Sequence, residues 1–430
     1  VTSETPSDNL RLMGDNTTNI WTIQGTDAGL VNSVAFSGFA DIEGGSGNDT
    51  FVLARQVGAS EDDRITGSID GGVNPDDGLA TDRINLLAVE DSVTVSLDPT
   101  YTTAYLTINN IEVLEAADNN NILVGGADGT QTWTISGQDD GSLNSLLFSG
   151  FASLLGRDQI DIFNFTQSGD MSGLVNGGGQ PVGTRDRVDM SELIIANVVI
   201  GDIDSGFENI EEYVGNNSSS TLTAADVRNE WTITGENTGR IQDQGGNDIA
   251  FSGFTTLLGG GVVDEFTLEA GGSLSGEIRA GAGQDRLNVN LGSGVTGGVA
   301  FYGGADDDTV FIDGGDDNNR FTATYTPASA NDNENFAYSI TQDEVAYNFD
   351  MELAQTEFVN NRVYTSVLTL NDVAGQEDTI VLANNRVEFT GLREFSIANN
   401  EGYSVIGEQA DRVVVEGSLM LEETFSVTNA

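Results

Sequence analysis

Acidic side chains beside glycine turns are the residues whose type and spacing could do chemistry in this chain. The run Gly44-Gly45-Ser46-Gly47-Asn48-Asp49-Thr50-Phe51-Val52 fits the calcium nonapeptide G-G-x-G-x-D-x-U-x in full, which makes Asp49 a candidate ligand. Asp306 and Asp308, within Asp306-Asp307-Asp308, and the pair Asp316-Asp317 add hard oxygen donors next to further glycine turns. Glu61-Asp62-Asp63 and Asp76-Asp77 are two more acidic clusters. Calcium is therefore the one cofactor the sequence suggests. A calcium β-roll needs consecutive nine-residue turns, however, and the partial matches at 260–267, 281–288 and 303–311 lie about 20 residues apart. A structural use competes: glycine permits positive φ, Asp bonds its own turn, and the apolar residue that follows enters a core.

The absence of other reactive groups narrows the field. The 430 residues contain no His and no Cys, which removes disulfides, thiolate or imidazole metal sites, and Ser-His-Asp or Cys-His catalysis. With 68 acidic against 16 basic residues the net charge is −52, so nucleic acid and anionic membranes are poor partners. Paired carboxylates could serve a polysaccharide-cleaving enzyme, but pairs are inevitable at this acid content. Every distinctive motif is also repeated, whereas an active site occurs once. The expectation is a non-enzymatic protein with no catalytic residue. No stretch reaches the ~18–20 apolar residues of a membrane span, so no membrane insertion is expected. The chain opens at Val1 without a signal-like segment and reads as a processed chain or a piece of a larger one.

The elements that position these residues repeat. Segments beginning WTIQG at Trp21, WTISG at Trp133 and WTITG at Trp231 each continue to an FSGF, at Phe36–Phe39, Phe148–Phe151 and Phe251–Phe254. From the second Phe of each FSGF to the Phe of the D-x-F step (Phe51, Phe163, Phe266) is 12 residues every time. The Trp-to-FSGF distance is 15, 15 and 20, which places an insertion at about Gln242 to Asn247, in a loop. Asp82-Arg83-Ile84, Asp186-Arg187-Val188 and Asp285-Arg286-Leu287 follow as a shared D-R-apolar step, and their arginines are expected to pair with neighbouring acids. The three tryptophans could stack on sugars, but a Trp opening a W-T-I strand is the expected anchor of a core.

Short runs alternate with period two, as in Val93-Thr94-Val95-Ser96-Leu97, and 54 glycines punctuate them. Ser191 to Val199 and Asn348 to Phe358 are the best helical stretches, and both lack caps. Asp264, Asp285 and Asp308 recur at 21 and 23 residues, about one coil of a β-solenoid. The expected fold is all-β: a right-handed parallel β-helix with coils of about 20 residues and a less regular C-terminal part. A row of β-sandwich domains is the competing architecture. The expected organisation is an entry segment over 1–14 and a solenoid over 15–320 made of three repeats (about 15–120, 121–222 and 223–320). Residues 321–430 then form divergent coils or a terminal β domain.

The W-T-I-x-G, F-S-G-F, G-G-x-G-x-D-x-F and D-R-(I/V/L) repeats over about residues 15 to 320 resemble those of large β-helical bacterial exoproteins. These are the filamentous-haemagglutinin-like, two-partner-secreted adhesins, including biofilm-matrix adhesins. The resemblance implies an extracellular or cell-surface location and a stalk that promotes attachment, aggregation or matrix contacts. Its partners would be a polysaccharide or another surface or matrix component, with lateral self-association between copies. Two alternatives stand beside it: an RTX-like secreted calcium-binding protein, and a β-helical polysaccharide-degrading enzyme. Recognition is expected in the non-repeating region from about Asp313 to Asn361.

Overall fold

The computed structural model describes residues 10–53, 64–73, 81–101, 103–118, 120–200, 206–269, 271–290, 299–306 and 308, and beyond these the backbone of the strands named below. Every regular element among the described residues is a β-strand; none is a helix. The chain divides into two compact units, residues Val1–Ile194 with Ile203–Tyr213, and Ile195–Asp202 with Val214–Ala430.

In the first unit nine strands form one wholly parallel sheet. Their order is Arg11–Met13, Asp41–Glu43, Ser68–Asp70, Leu106–Asn109, Thr94–Ser96, Ile122–Val124, Ser153–Leu155, Val175–Asn176 and Phe207–Glu208. Although Thr94–Ser96 and Leu106–Asn109 are consecutive strands of this same sheet, between most visits to it the chain enters another. There Ile20–Gly25, Thr50–Leu53, Arg83–Leu86 and Val113–Ala116 lie parallel side by side, as do Gln131–Gly137, Asp161–Phe165 and Arg187–Asp189. Parallel neighbours cannot be joined by a tight hairpin. The strand contributed to the other sheet serves as the crossover, so no helix is needed, an alternation compatible with a β-solenoid.

Each W-T-I segment interrupts the parallel run with an antiparallel meander. In the first copy Ile20–Gly25, Ala28–Val31 and Val34–Ser37 pair in succession, turning at Asn32 and Ser33, both at positive φ (47° and 74°). Paired positive φ values match the twist of a two-residue hairpin. In the second copy the outer meander strands, Gln131–Gly137 and Leu146–Ser149, flank Asp140–Leu143 and each resumes parallel pairing on its far side.

Period-two alternation becomes columns of buried side chains because register is kept from strand to strand. Trp21, Phe51, Ile84 and Leu114 are successive partners across one sheet, and Ile42, Ile69 and Ile108 across the other. All seven are buried.

The second unit follows the same plan. Asn197–Val199, Thr221–Thr223, Thr256–Gly260, Glu277–Ala282 and Ala300–Ala305 form a parallel sheet with Val198, Leu222, Leu257, Ile278 and Phe301 in one buried column. Its other ladder carries Asn229–Gly235, Glu265–Leu268, Arg286–Asn290, Thr309–Asp313, Gln355–Val359 and Glu394–Ala398 in parallel. The third meander is Asn229–Gly235, Thr238–Asp243 and Asp248–Ser252, and the extra residues of this copy lengthen its hairpin.

Beyond residue 320 the alternation between sheets continues. Arg320–Tyr325, Val367–Asn371, Gly402–Gly407 and Thr424–Asn429 are parallel neighbours, extended antiparallel by Asn335–Gln342 and Val345–Glu352. Thr379–Ala383, Arg386–Phe389 and Glu394–Ala398 form a fourth antiparallel meander, in which Thr379–Ala383 also pairs in parallel with Arg412–Glu416. Ile380 holds the register place of the tryptophans, opposite Val413 as Trp133 is opposite Phe163. Neither helical stretch is a helix. Residues 191–196 are turns and bends ahead of the strand Asn197–Val199, and 348–358 falls on two strands. Without caps, tertiary pairing decides the conformation of such short segments.

Candidate functional site

The acidic residues that the sequence repeats before each strand converge on one structure, a column of carboxyls running from strand to strand. A backbone N–H at a strand entry lies just outside the regular ladder and still needs an acceptor when buried. The side chain at the equivalent place on the next strand supplies it. Asn19 N–H donates to Asp49 Oδ1 (2.7 Å), Asp49 N–H to Asp82 Oδ1 (2.7 Å), and Asp82 N–H to Glu112 Oε2 (2.7 Å). In the second copy Asp161 N–H donates to Asp186 Oδ1 (2.8 Å) and Asp186 N–H to Glu211 Oε2 (3.0 Å). In the third, Asn229 N–H donates to Asp264 Oδ1 (2.9 Å), Asp264 N–H to Asp285 Oδ1 (2.7 Å) and Asp285 N–H to Asp308 Oδ1 (3.0 Å).

These carboxyls lie in the interior: Asp49, Asp82, Asp161, Asp186, Asp264 and Asp308 are all 0 % exposed, and Asp285 is 1 % exposed. Burial pushes Asp161 up to about 6, and Asp186 and Asp264 up to about 7, with neighbouring acids adding to the rise in the latter two. Burial likewise raises Asp49 and Asp285. Desolvation disfavours the charged form, and one or two N–H donors do not fully offset it here. Oδ2 of Asp49, Asp186, Asp264 and Asp285 is buried without a hydrogen-bond partner.

The aromatic core sits beside the column. Trp21, Trp133 and Trp231 stack on Phe51, Phe163 and Phe266 at 5.6, 5.4 and 5.2 Å between centroids, with interplanar angles of 19°, 18° and 20°. Each meets the first Phe of its FSGF edge-on, at 5.7, 6.3 and 6.0 Å. All three tryptophans are essentially unexposed, so their faces are core contacts rather than a surface platform. Gly38, Gly150 and Gly253 of the FSGF motifs have φ of 81°, 75° and 74°. A Cβ on Gly150 would also stand 2.2 Å from the Ala116 carbonyl oxygen.

The second copy differs at one atom. Gln131 N–H donates to the Ile160 carbonyl rather than to the column, and Asp161 Oδ1 instead accepts from Trp133 Nε1 at 2.8 Å. The indole nitrogens of Trp21 and Trp231 are buried without a partner.

The candidate calcium ligands are thus placed as follows. Asp49 points its Oδ1 at the Asn19 backbone, so the nonapeptide match builds a column turn. Asp308 stands in the third column, its Oδ1 accepting from Asp285 N–H, while Asp306 is exposed at positive φ (79°), its Oδ2 accepting from Gly283 N–H at 3.2 Å. Asp316 and Asp317 lie outside the described residues, as do Asp307, Glu61-Asp62-Asp63 and Asp76-Asp77. Among the described residues no three acidic side chains come together as a metal site would require.

The arginines of the D-R-apolar step stay at the surface. Arg83 pairs with Glu115, Arg187 with Asp189, and Arg286 Nε donates to Asn288 Oδ1 at 2.6 Å. The recurrence of these acids at coil spacing does not by itself reveal the column, because local sequence does not show that each carboxyl accepts from the backbone of the preceding strand. The available signal was an acid or amide two places before each buried aromatic or aliphatic residue, at Asn19, Asp49, Asp82 and Glu112 alike. No known protein-family model matches the chain, and no curated protein is significantly similar to it in sequence.

Proposed function

We propose that this chain is a structural and adhesive stalk segment of a large bacterial surface or secreted adhesin, acting outside the cell. In this reading the two-sheet alternation is a right-handed parallel β-solenoid with coils of about 20 residues. The observation that carries the reading is the recurrence of one interior, Trp on Phe beside a carboxyl column, in three copies. The repeated, chemically distinctive side chains serve packing and strand register, which suits spacing and attachment better than turnover.

The side chains of the region expected to carry recognition, about Asp313 to Asn361, lie outside the described residues. Among the described ones attachment would use the outward faces, where Thr22, Val52, Asn85 and Glu115 form one row of register partners. Hydroxyl, amide and carboxylate groups in such a row suit a polysaccharide or another polar matrix component. The test is binding of the full chain to a panel of immobilised polysaccharides and its ability to aggregate coated beads, with released reducing or unsaturated sugar followed in parallel. Binding or aggregation without product supports the reading. Product formation overturns it in favour of a polysaccharide-degrading enzyme, and failure of both binding and aggregation also counts against it.

A further inference from the structure

The column contains its own comparison between an amide and an acid. Asn19 and Asp49 are register neighbours, since Ile20 pairs with Thr50, and Gly14, Gly44 and Gly71 line up in the same way because Met13 pairs with Glu43 and Glu43 with Asp70. Asn19 Nδ2 donates to the Gly44 carbonyl oxygen at 3.1 Å, and both atoms crowd the place where a Cβ on Gly14 would stand, at 2.8 and 2.1 Å. One strand later Asp49 Oδ2 and the Gly71 carbonyl oxygen crowd the same place beside Gly44, at 2.4 and 2.5 Å. Asp49 Oδ2 therefore stands where the amide has a donor, facing an acceptor.

The pattern recurs. Asp264 Oδ2 and the Ala280 carbonyl oxygen are 2.4 and 2.1 Å from the Cβ position of Gly259, and Asp186 Oδ2 and the Asn209 carbonyl oxygen are 2.8 and 2.2 Å from that of Gly177. An ionised Oδ2 in these buried places meets the negative end of a carbonyl dipole, whereas a protonated one offers it an O–H.

We propose that Asp49, Asp186 and Asp264 are neutral acids in the folded chain, each carrying its proton on Oδ2 toward the carbonyl of the next strand, and that the fold is consequently stabilised by acidification through the neutral range. The charged groups that bear on them are acids: Asp15 on Asp49, Asp161 and Glu211 on Asp186, Asp285 and Asp226 on Asp264. Asp49 also abuts Asp82 through its own N–H. The nearby arginines are engaged elsewhere, Arg83 with Glu115, Arg185 with the Glu211 carbonyl, Arg187 with Asp189, Arg228 with Glu230 and Glu265, and Arg286 with Asn288.

Asp186 and Asp264 are pushed up to about 7 and Asp49 is raised, above the ~3.9 of a free Asp. A raised folded value means that folding takes up protons. The stabilisation is complete below the unfolded value and is lost as pH rises through the folded one. A free Asp or Glu is ionised above about pH 5.5, so the window between about pH 8 and about pH 5.5 is where the column is read.

The test is thermal unfolding of the full chain across that window at constant ionic strength, for wild type, Asp186→Asn and Asp264→Asn. The wild-type midpoint should rise by several degrees as pH falls, and each Asn variant, supplying the Asn19-type donor, should raise the midpoint at the alkaline end and flatten the slope. A wild-type midpoint that is flat or falls on acidification overturns the proposal, as do Asn variants that are less stable at the alkaline end with the slope unchanged. Should a variant fail to fold, infrared spectroscopy of the wild type decides. The carbonyl stretch of protonated carboxyl must be present near neutral pH in the folded chain and vanish on unfolding; its absence from the folded chain refutes the assignment.

Discussion

Trp133 Nε1 is the one indole nitrogen of the three repeats with an acceptor, Asp161 Oδ1 at 2.8 Å, and this gives the repeats different sensitivities to the same substitution. Replacing Trp by Phe removes the same volume in each copy. In the second copy it also strips a hydrogen bond from a buried carboxyl, whereas in the third it removes a donor that has no partner. Trp133→Phe should therefore destabilise by about 1–3 kcal/mol more than Trp231→Phe, measured by denaturant unfolding. Equal losses would show that the indole bond contributes nothing. The tryptophans were legible in the sequence as core anchors because type and position coincide in all three W-T-I strands. The role of Asp49 was not. Its nonapeptide satisfies the local rules for a calcium turn and for a column turn alike, and only the position of Asn19, 30 residues earlier, separates the two.

At the level of elements, the exit of the second meander is a point of close backbone approach. Gly150 needs positive φ and has the Ala116 carbonyl oxygen where a Cβ would go. Gly150→Ala should destabilise by more than the ~1 kcal/mol of a merely unfavourable φ, because backbone on a neighbouring strand must also move. A loss no larger than that of an exposed loop glycine would contradict the close approach. The W-T-I and FSGF repeats mark the places of three meanders without revealing their antiparallel pairing, and the fourth, over 379–398, lacks both FSGF and a Trp. It is visible only in strand pairing, since Ile380, at the register place of the tryptophans, carries no motif. The two uncapped stretches read as weak helices became turns and strands for the same reason: long-range pairing outweighs a faint local pattern.

For the whole molecule the governing quantity is charge. All 16 basic residues are arginine, set against 68 acids. Repulsion among the exposed carboxylates opposes folding, so adding salt from about 0.02 M to about 0.5 M at neutral pH should raise the unfolding midpoint as the Debye length shrinks. A midpoint that falls with salt would show that attractive ion pairs dominate. Screening is also the condition under which copies of such an acidic chain could associate laterally. The all-β class was legible in glycine content and period-two runs, and the parallel pairing in the recurrence of Asp264, Asp285 and Asp308 at 21 and 23 residues. The shared register was not legible, because it resides in contacts between residues about 20 to 40 positions apart.

That register is open to direct measurement, since a chain without cysteine accepts spin labels at chosen sites without background. Val52 and Asn85 are partners on adjacent parallel strands, as are Asn85 and Glu115. With labels at Val52→Cys and Asn85→Cys, or at Asn85→Cys and Glu115→Cys, continuous-wave spectra should show strong dipolar broadening, from strands about 4.8 Å apart. The pair Val52→Cys and Glu115→Cys, two strands apart, should show much less. Spectra equal to the sum of the singly labelled chains for both adjacent pairs would contradict the stacked parallel core.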